Sequence, residues 1–138
     1  MTDAHPTAPQ GDLILRTMPM PADTNSNGDI FGGWIMSHMD IAGGMLAKEL
    51  MQGRCATVAA DAFKFIRPVS VGDIVCYYGH IKHVGNTSLT IGLEVWVRRN
   101  PQPADTDDML VTAADFTYVA INEDGVKRTY AKVDPRLS

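Results

Sequence analysis

The chain has 138 residues and a mass of 15.0 kDa, with 45% hydrophobic and 20% charged residues, which suffices for one hydrophobic core and is too short for two ordinary domains. Twelve Lys plus Arg against sixteen Asp plus Glu give a formal charge of -4 and a pI near 5.4, so there is no global basic field for nucleic acid or an anionic membrane surface. The start MTDAHPTAPQGD lacks a basic segment followed by an apolar run, and no later stretch has bilayer-spanning length, so the expectation is a soluble intracellular protein with no membrane insertion. Cys55 and Cys76 stand outside any CxxC or Cys/His spacing and are read as reduced packing residues.

In chain order, residues 1–10 carry Pro6, Pro9 and small polar residues without apolar periodicity and read as a flexible leader to a domain of residues 11–122. Leu13, Ile14 and Leu15 form a short apolar run before Pro19 and Pro21, as in a first strand. The loop ADTNSNGDIFGG is dense in Asn, Asp and Gly, which favour turns and a sharp entry into a helix near Phe31. From Trp34 to Leu50 apolar residues recur at three- and four-residue intervals without a proline, predicting a long helix that Gly53 stops.

CATVAADAFKFIRPV, GDIVCYYGHIKHV, TSLTIGLEVWVRR and MLVTAADFTYVAIN are rich in β-branched and aromatic residues and predict four further strands. VSVGD reads as a turn and Gly85–Asn86 as a tight hairpin, while NPQPADTDD is a polar loop. Residues 123–138, with Pro135 and several charges, read as a loose C-terminal tail. One strand, one long helix and four successive strands imply an α+β fold, an antiparallel β-sheet wrapped around a long central α-helix. The helix is apolar over most of its circumference, and a single small sheet covers one face only, so a homo-oligomer, at least a dimer, is expected.

The densest chemical signal is N-x-x-G-x-x-x-G-G, here Asn25, Gly28, Gly32 and Gly33, directly before the helix. Unpaired N–H groups and the helix dipole at such a start stabilise negative charge, and paired glycines let a carbonyl oxygen approach. The same glycines equally suit a tight loop-to-helix junction. Asp40 stands about 140° around the helix from Ile35, with the small residues Gly43, Gly44 and Ala47 one turn on. It is a candidate general base or nucleophile beside a small-residue groove, or else a hydrogen-bonded or solvated aspartate. Asn25, Asp40 and Gly33 together suit acyl transfer without cofactor or metal.

Other constellations are weaker. Ser37, His38 and Asp40 form no triad, because helix neighbours point about 100° apart and no GxSxG elbow exists. His80 and His83, three apart on a strand, are expected on opposite faces, which disfavours a shared metal. The Gly85-Asn86-Thr87-Ser88 turn offers donors to a phosphate, and Arg67, Arg98 and Arg99 are candidate anion partners, although most such turns and arginines are structural or solvated.

The run MPADTNSNGDIFGGWIMSHMDIAGGMLAKE, followed by FIRPVSVGDIVCYYG, HVGNTSLTI and EVWVRR, resembles bacterial acyl-CoA thioesterases of the YciA type, which have the hotdog fold. The resemblance implies a helix wrapped by five or six antiparallel strands, a dimer with active sites at its interface, and a trimer of dimers. It assigns Asp40 to the family's catalytic aspartate, Asn25 to its loop asparagine, and the N–H of Gly33 or its neighbour to polarising the thioester carbonyl, with Asn25 and Asp40 from different subunits. It implies hydrolysis of acyl-CoA to free fatty acid and CoA with broad chain-length tolerance, in the cytosol and with no cofactor. CoA phosphates would meet Gly85, Thr87, Ser88 and Arg67, and Gly43 and Gly44 would line the acyl groove. The alternatives are a hotdog dehydratase, for which His38 is the sole candidate base in the helix, and a non-catalytic acyl-CoA-binding module, which would need no carboxylate at position 40.

Overall fold

A computed structural model describes residues 7–98 and 108–138. The first six residues of the expected leader and most of the polar loop NPQPADTDD, with Arg99, lie outside the described residues. The elements are β1 (Asp12–Thr17), α1 (Gly32–Met51), β2 (Cys55–Phe65), β3 (Ile74–Val84), β4 (Ser88–Arg98) and β5 (Met109–Ala120). The strands form one sheet in the order β1-β3-β4-β5-β2, antiparallel throughout. Each expected strand is present, and the helix starts one residue past Phe31, which caps it.

Alternation along β3, β4 and β5 explains how the sheet holds the helix. Tyr77, Leu89, Ile91, Leu93, Val95, Phe116 and Tyr118 face one side and are buried against Ile35, Met39, Ala42, Leu46 and Leu50 of α1. Each such burial is worth about 1.5–3 kcal/mol for a large apolar side chain. α1 ends at Met51, where Gln52 takes the left-handed conformation (φ 56°) and its N–H donates to Lys48 O. Gly53 follows at φ 147°, so the stop is a two-residue device rather than the glycine alone. The other side of α1 is uncovered within one chain: Phe31, Met36, Ile41 and Met45 are exposed, as are Val58 and Phe65 on β2.

The C-terminal residues correct the expectation of a loose tail. Tyr130 and Leu137 are buried, and the Tyr130 hydroxyl donates to Ser88 O at 2.7 Å. The Arg128 guanidinium donates to Met51 O at 3.2 Å, Arg54 O at 3.3 Å and Ile121 O at 2.9 Å, placing a cation where the helix dipole is negative. Lys132 Nζ reaches Asn86 O at 3.0 Å and lies over the Tyr130 ring. Arg136 gathers Asp12, Glu49 and Asp134, and its hydrogen bonds hold the Asp134 carboxyl down at about 2. The leader is likewise tied at its end, where the Gln10 N–H donates to Glu94 Oε1.

The histidines give a second correction. The β3–β4 register pairs His80 with Gly92 and His83 with Thr90, because a bulge falls between Ile81 and His83. The extra residue breaks strict alternation, so His80 and His83 share a face instead of opposing each other. Among the described residues no three His, Cys, Asp or Glu side chains gather as a metal site. No helix among them is long and apolar enough to cross a membrane.

Candidate active site

The loop before α1 is built around Asn25. Its Oδ1 accepts from the N–H of Asn27 at 2.9 Å and of Asp29 at 3.1 Å, and Gly28 closes the turn at φ 82°. With its oxygen committed to the loop, Asn25 offers its amide NH2 as a donor to whatever occupies the cleft beside it. That cleft, about 320 Å³, is lined by Asn25, Asp29, Gly32, Ile35, Phe65 and Arg67, together with Ile30 and the Ile66–Val69 segment.

The glycines of the motif separate by physical reason. Gly28 needs its positive φ. Gly33 does not: a Cβ built there meets nothing within 4 Å, and one at Gly32 makes ordinary contact with the Phe65 ring at 3.6 Å. The loop-to-helix junction would therefore accept side chains at both positions, and what the paired glycines leave is open approach to the first N–H groups of the helix. Phe31 supplies no side-chain cap, and among the described residues the Gly32 and Gly33 N–H groups have no acceptor.

Asp40 lies eight residues into α1 and is half-buried. The Thr57 hydroxyl of β2 donates to Asp40 Oδ1 at 2.6 Å. The Tyr118 hydroxyl of β5 donates to Asp40 Oδ1 at 3.2 Å and to the Asp40 main-chain oxygen at 3.0 Å. Oδ2 has no hydrogen-bond partner among the described residues. Burial first, then the Asp40 charge and the hydrogen bond to it, push the Tyr118 phenol well above its ordinary value, so it stays protonated and is the donor.

Thr57 and Tyr118 escaped the sequence reading. The available signal was the alternation of β5, which sends Phe116 and Tyr118 toward the helix, where a buried phenol needs a partner. Gly43 is corrected with them. A Cβ at Gly43 would overlap the Tyr118 hydroxyl and lie 2.9 Å from its Cζ, so that glycine makes room for tyrosine rather than for an acyl chain. Gly44, half-buried, would place a Cβ 3.8 Å from the same ring.

Asp40 is not part of the Asn25 cleft of its own chain. Seven residues of helix separate it from Gly33, an axial distance of about 10 Å. Arg67 joins Asn25 and Gly32 at the cleft and is anchored by its bond to Leu110 O at 2.8 Å. The Gly85–Ser88 turn closes the opposite end of β3 and β4, about 30 Å away by strand rise. Its Asn86 and Ser88 carbonyls hold the C-terminal segment, and Thr87 O accepts from the Ala120 N–H. His38 lies about 200° around the helix from Asp40, and its Nδ1 is 2.8 Å from Trp34 O, with its ring against Trp34 and Tyr77.

Comparison with known proteins gives the family. The thioesterase superfamily model matches residues 27–104. The acyl-CoA thioester hydrolase YciA of Escherichia coli is 50% identical over 128 residues, 93% of this chain and 96% of its own. An acyl-CoA thioester hydrolase of Haemophilus influenzae is 50% identical over the same length, 93% of this chain and 83% of its own. A crystal structure of HI0827, described as a hexameric broad-specificity acyl-coenzyme A thioesterase, superposes with a TM-score of 0.87 at 48% identity, covering 93% of each chain. A hexameric thioesterase of Yersinia pestis gives 0.84 at 49% identity, covering 90% of this chain and 98% of that one. With its five-stranded sheet on one long helix, the chain belongs to the hotdog-fold thioesterase superfamily and, within it, to the YciA-type acyl-CoA thioester hydrolases.

Proposed function

We propose that the protein hydrolyses acyl-CoA to free fatty acid and CoA, with Asp40 as general base and the N–H of Gly33 or its neighbour as oxyanion donor. The observation that carries this reading is the Asp40 carboxylate itself. One oxygen is held by two hydroxyls and the other is unengaged among the described residues, on a helix whose first N–H groups stand open. The thioester carbonyl oxygen accepts from the helix N–H and from the Asn25 amide, which stabilises the charge that builds there. Asp40 Oδ2 takes a proton from water as the water oxygen bonds to the carbonyl carbon. The tetrahedral adduct then collapses, the C–S bond breaks, and the proton passes to the departing thiolate sulfur. The balance needs water only, and no cofactor enters.

The axial gap between Gly33 and Asp40 supports a site shared by two protomers, Asn25 and Gly33 from one and Asp40 from the other. β2 is an edge strand with exposed Val58 and Phe65, and it borders the uncovered apolar face of α1. A dimer joined along β2 would cover both and bring each Asp40 to its neighbour's cleft. The relatives described as hexameric support a trimer of such dimers. Arg67 is the side chain we assign to the CoA portion, the Gly85–Ser88 turn serving the C-terminal segment, and the CoA and fatty-acid pools on which such an enzyme draws place it in the cytosol. A hotdog dehydratase would use His38, but that ring is engaged with Trp34 and points away from Asp40.

Thiol release from short, medium, long, aromatic and β-hydroxy acyl-CoAs, for wild type and Asp40→Asn in parallel, tests the reading. Wild type is expected to release CoA from several chain lengths, and Asp40→Asn to lower kcat about 1,000-fold with the fold intact. CoA binding without release by the wild type would instead make the protein an acyl-CoA-binding module.

A further inference from the structure

We infer that Tyr118 is a positioning residue for the hydrolytic reaction, a clamp that holds Asp40 by its main chain and its carboxylate at once and leaves Oδ2 as the reacting oxygen. The inference rests on Asp40 acting as the base. A tyrosine buried on the inner face of a sheet must spend its hydroxyl on some acceptor. Tyr118 takes two acceptors of one residue, Asp40 O at 3.0 Å and Asp40 Oδ1 at 3.2 Å. A donor shared between the backbone and side-chain oxygens of the same residue fixes the rotation of that side chain about its Cα–Cβ bond. Thr57, at 2.6 Å from Oδ1, adds a second point from another strand and fixes the remaining rotation of the carboxylate plane.

The two donors are unsymmetrical in their effect. Both fall on Oδ1, which loses electron density and acceptor capacity to them, while Oδ2 keeps its own. Water meeting this carboxylate therefore meets Oδ2, and its direction is set before substrate arrives. The helix accommodates the clamp at a cost. Gly43, a poor helix residue, stands where any side chain would collide with the phenol, and it is fully enclosed, so its glycine has no other demand on it.

Among the described residues of one chain, the groups that face Asp40 are few. β5 contributes Tyr118, and β2 contributes Thr57 and the Cys55 thiol, itself pushed up mainly by burial. The neighbours of Asp40 one turn away on α1, Met36, Ser37, Gly43 and Gly44, carry no charge.

The test compares Tyr118→Phe, Asp40→Asn and, as a deletion of a buried phenol hydroxyl elsewhere, Tyr77→Phe, which loses its bond to Thr17. Each is measured for kcat, KM and thermal stability. Tyr118→Phe is expected to lower kcat about 10-fold or more with KM within about threefold, because the ring still fills its space while the orientation is lost. Tyr77→Phe should leave kcat where it is, although it also loses a buried hydrogen bond. Site-specific 3-fluorotyrosine at position 118, which keeps the hydroxyl donor at nearly the same size, should hold kcat within about threefold of wild type and serves even if the phenylalanine variant is poorly folded. Unchanged kcat in Tyr118→Phe, or a fall in kcat no larger than Tyr77→Phe shows at equal loss of thermal stability, would overturn the inference. If Asp40→Asn retains wild-type turnover, the base assignment fails instead, and the two failures are distinguishable.

Discussion

Asn25 and Asp40 solve the same problem in opposite ways. Asn25 spends its oxygen on the N–H groups of Asn27 and Asp29 and keeps its amide hydrogens for the cleft, whereas Asp40 spends one oxygen on Thr57 and Tyr118 and keeps the other. Each side chain is thereby held by half of its polar capacity and leaves the remaining half to the proposed reaction. Asn25→Ala removes both the loop anchor and a donor to the carbonyl, and it should lower kcat about 100-fold. Steady-state kinetics on one acyl-CoA check this, and an unchanged kcat/KM would remove Asn25 from the site. Asn25, Gly33 and Asp40 stand out in the sequence as candidates because helix-start glycines and a mid-helix carboxylate are local anomalies. Thr57 and Tyr118 do not, because their role exists only once β2 and β5 are laid against α1.

At the scale of elements, the helix was legible through its three- and four-residue apolar spacing and the strands through β-branched and aromatic residues between turn signals, and they occur where those signals place them. The last sixteen residues were not, since their order comes from single long-range anchors. Tyr130 is bonded to Ser88, Arg128 to the end of α1 and Lys132 to the β3–β4 turn, none of which leaves a periodic trace. The His80–His83 relation failed for a related reason, a one-residue bulge that alternation cannot anticipate. The segment is thus a strap across the helix end and the hairpin. Tyr130→Ala should cost about 3 kcal/mol of stability through lost burial and the lost hydrogen bond to Ser88 O. Thermal unfolding reads this directly, and the exposed Arg136 cluster should matter far less, since solvent-screened ion pairs contribute little.

At the scale of the whole molecule, the proposed site needs two chains, Asn25 and Gly33 from one and Asp40 from the other. Val58 lies on the outer edge strand with 56% of its surface exposed, and a charge there opposes pairing with a second copy. Val58→Asp should yield a folded smaller species by light scattering and lose thiol release, since Asp40 then has no partner cleft to face. The most direct measurement mixes two inactive proteins, Asp40→Asn and Asn25→Ala, by co-expression or subunit exchange. If Asn25 and Asp40 come from different protomers, each mixed dimer holds one site intact and one doubly impaired. Random pairing should then restore about a quarter of wild-type turnover. If the mixture stays as inactive as its parents while mixed dimers are demonstrably present, the two residues act within one chain and the shared site is contradicted.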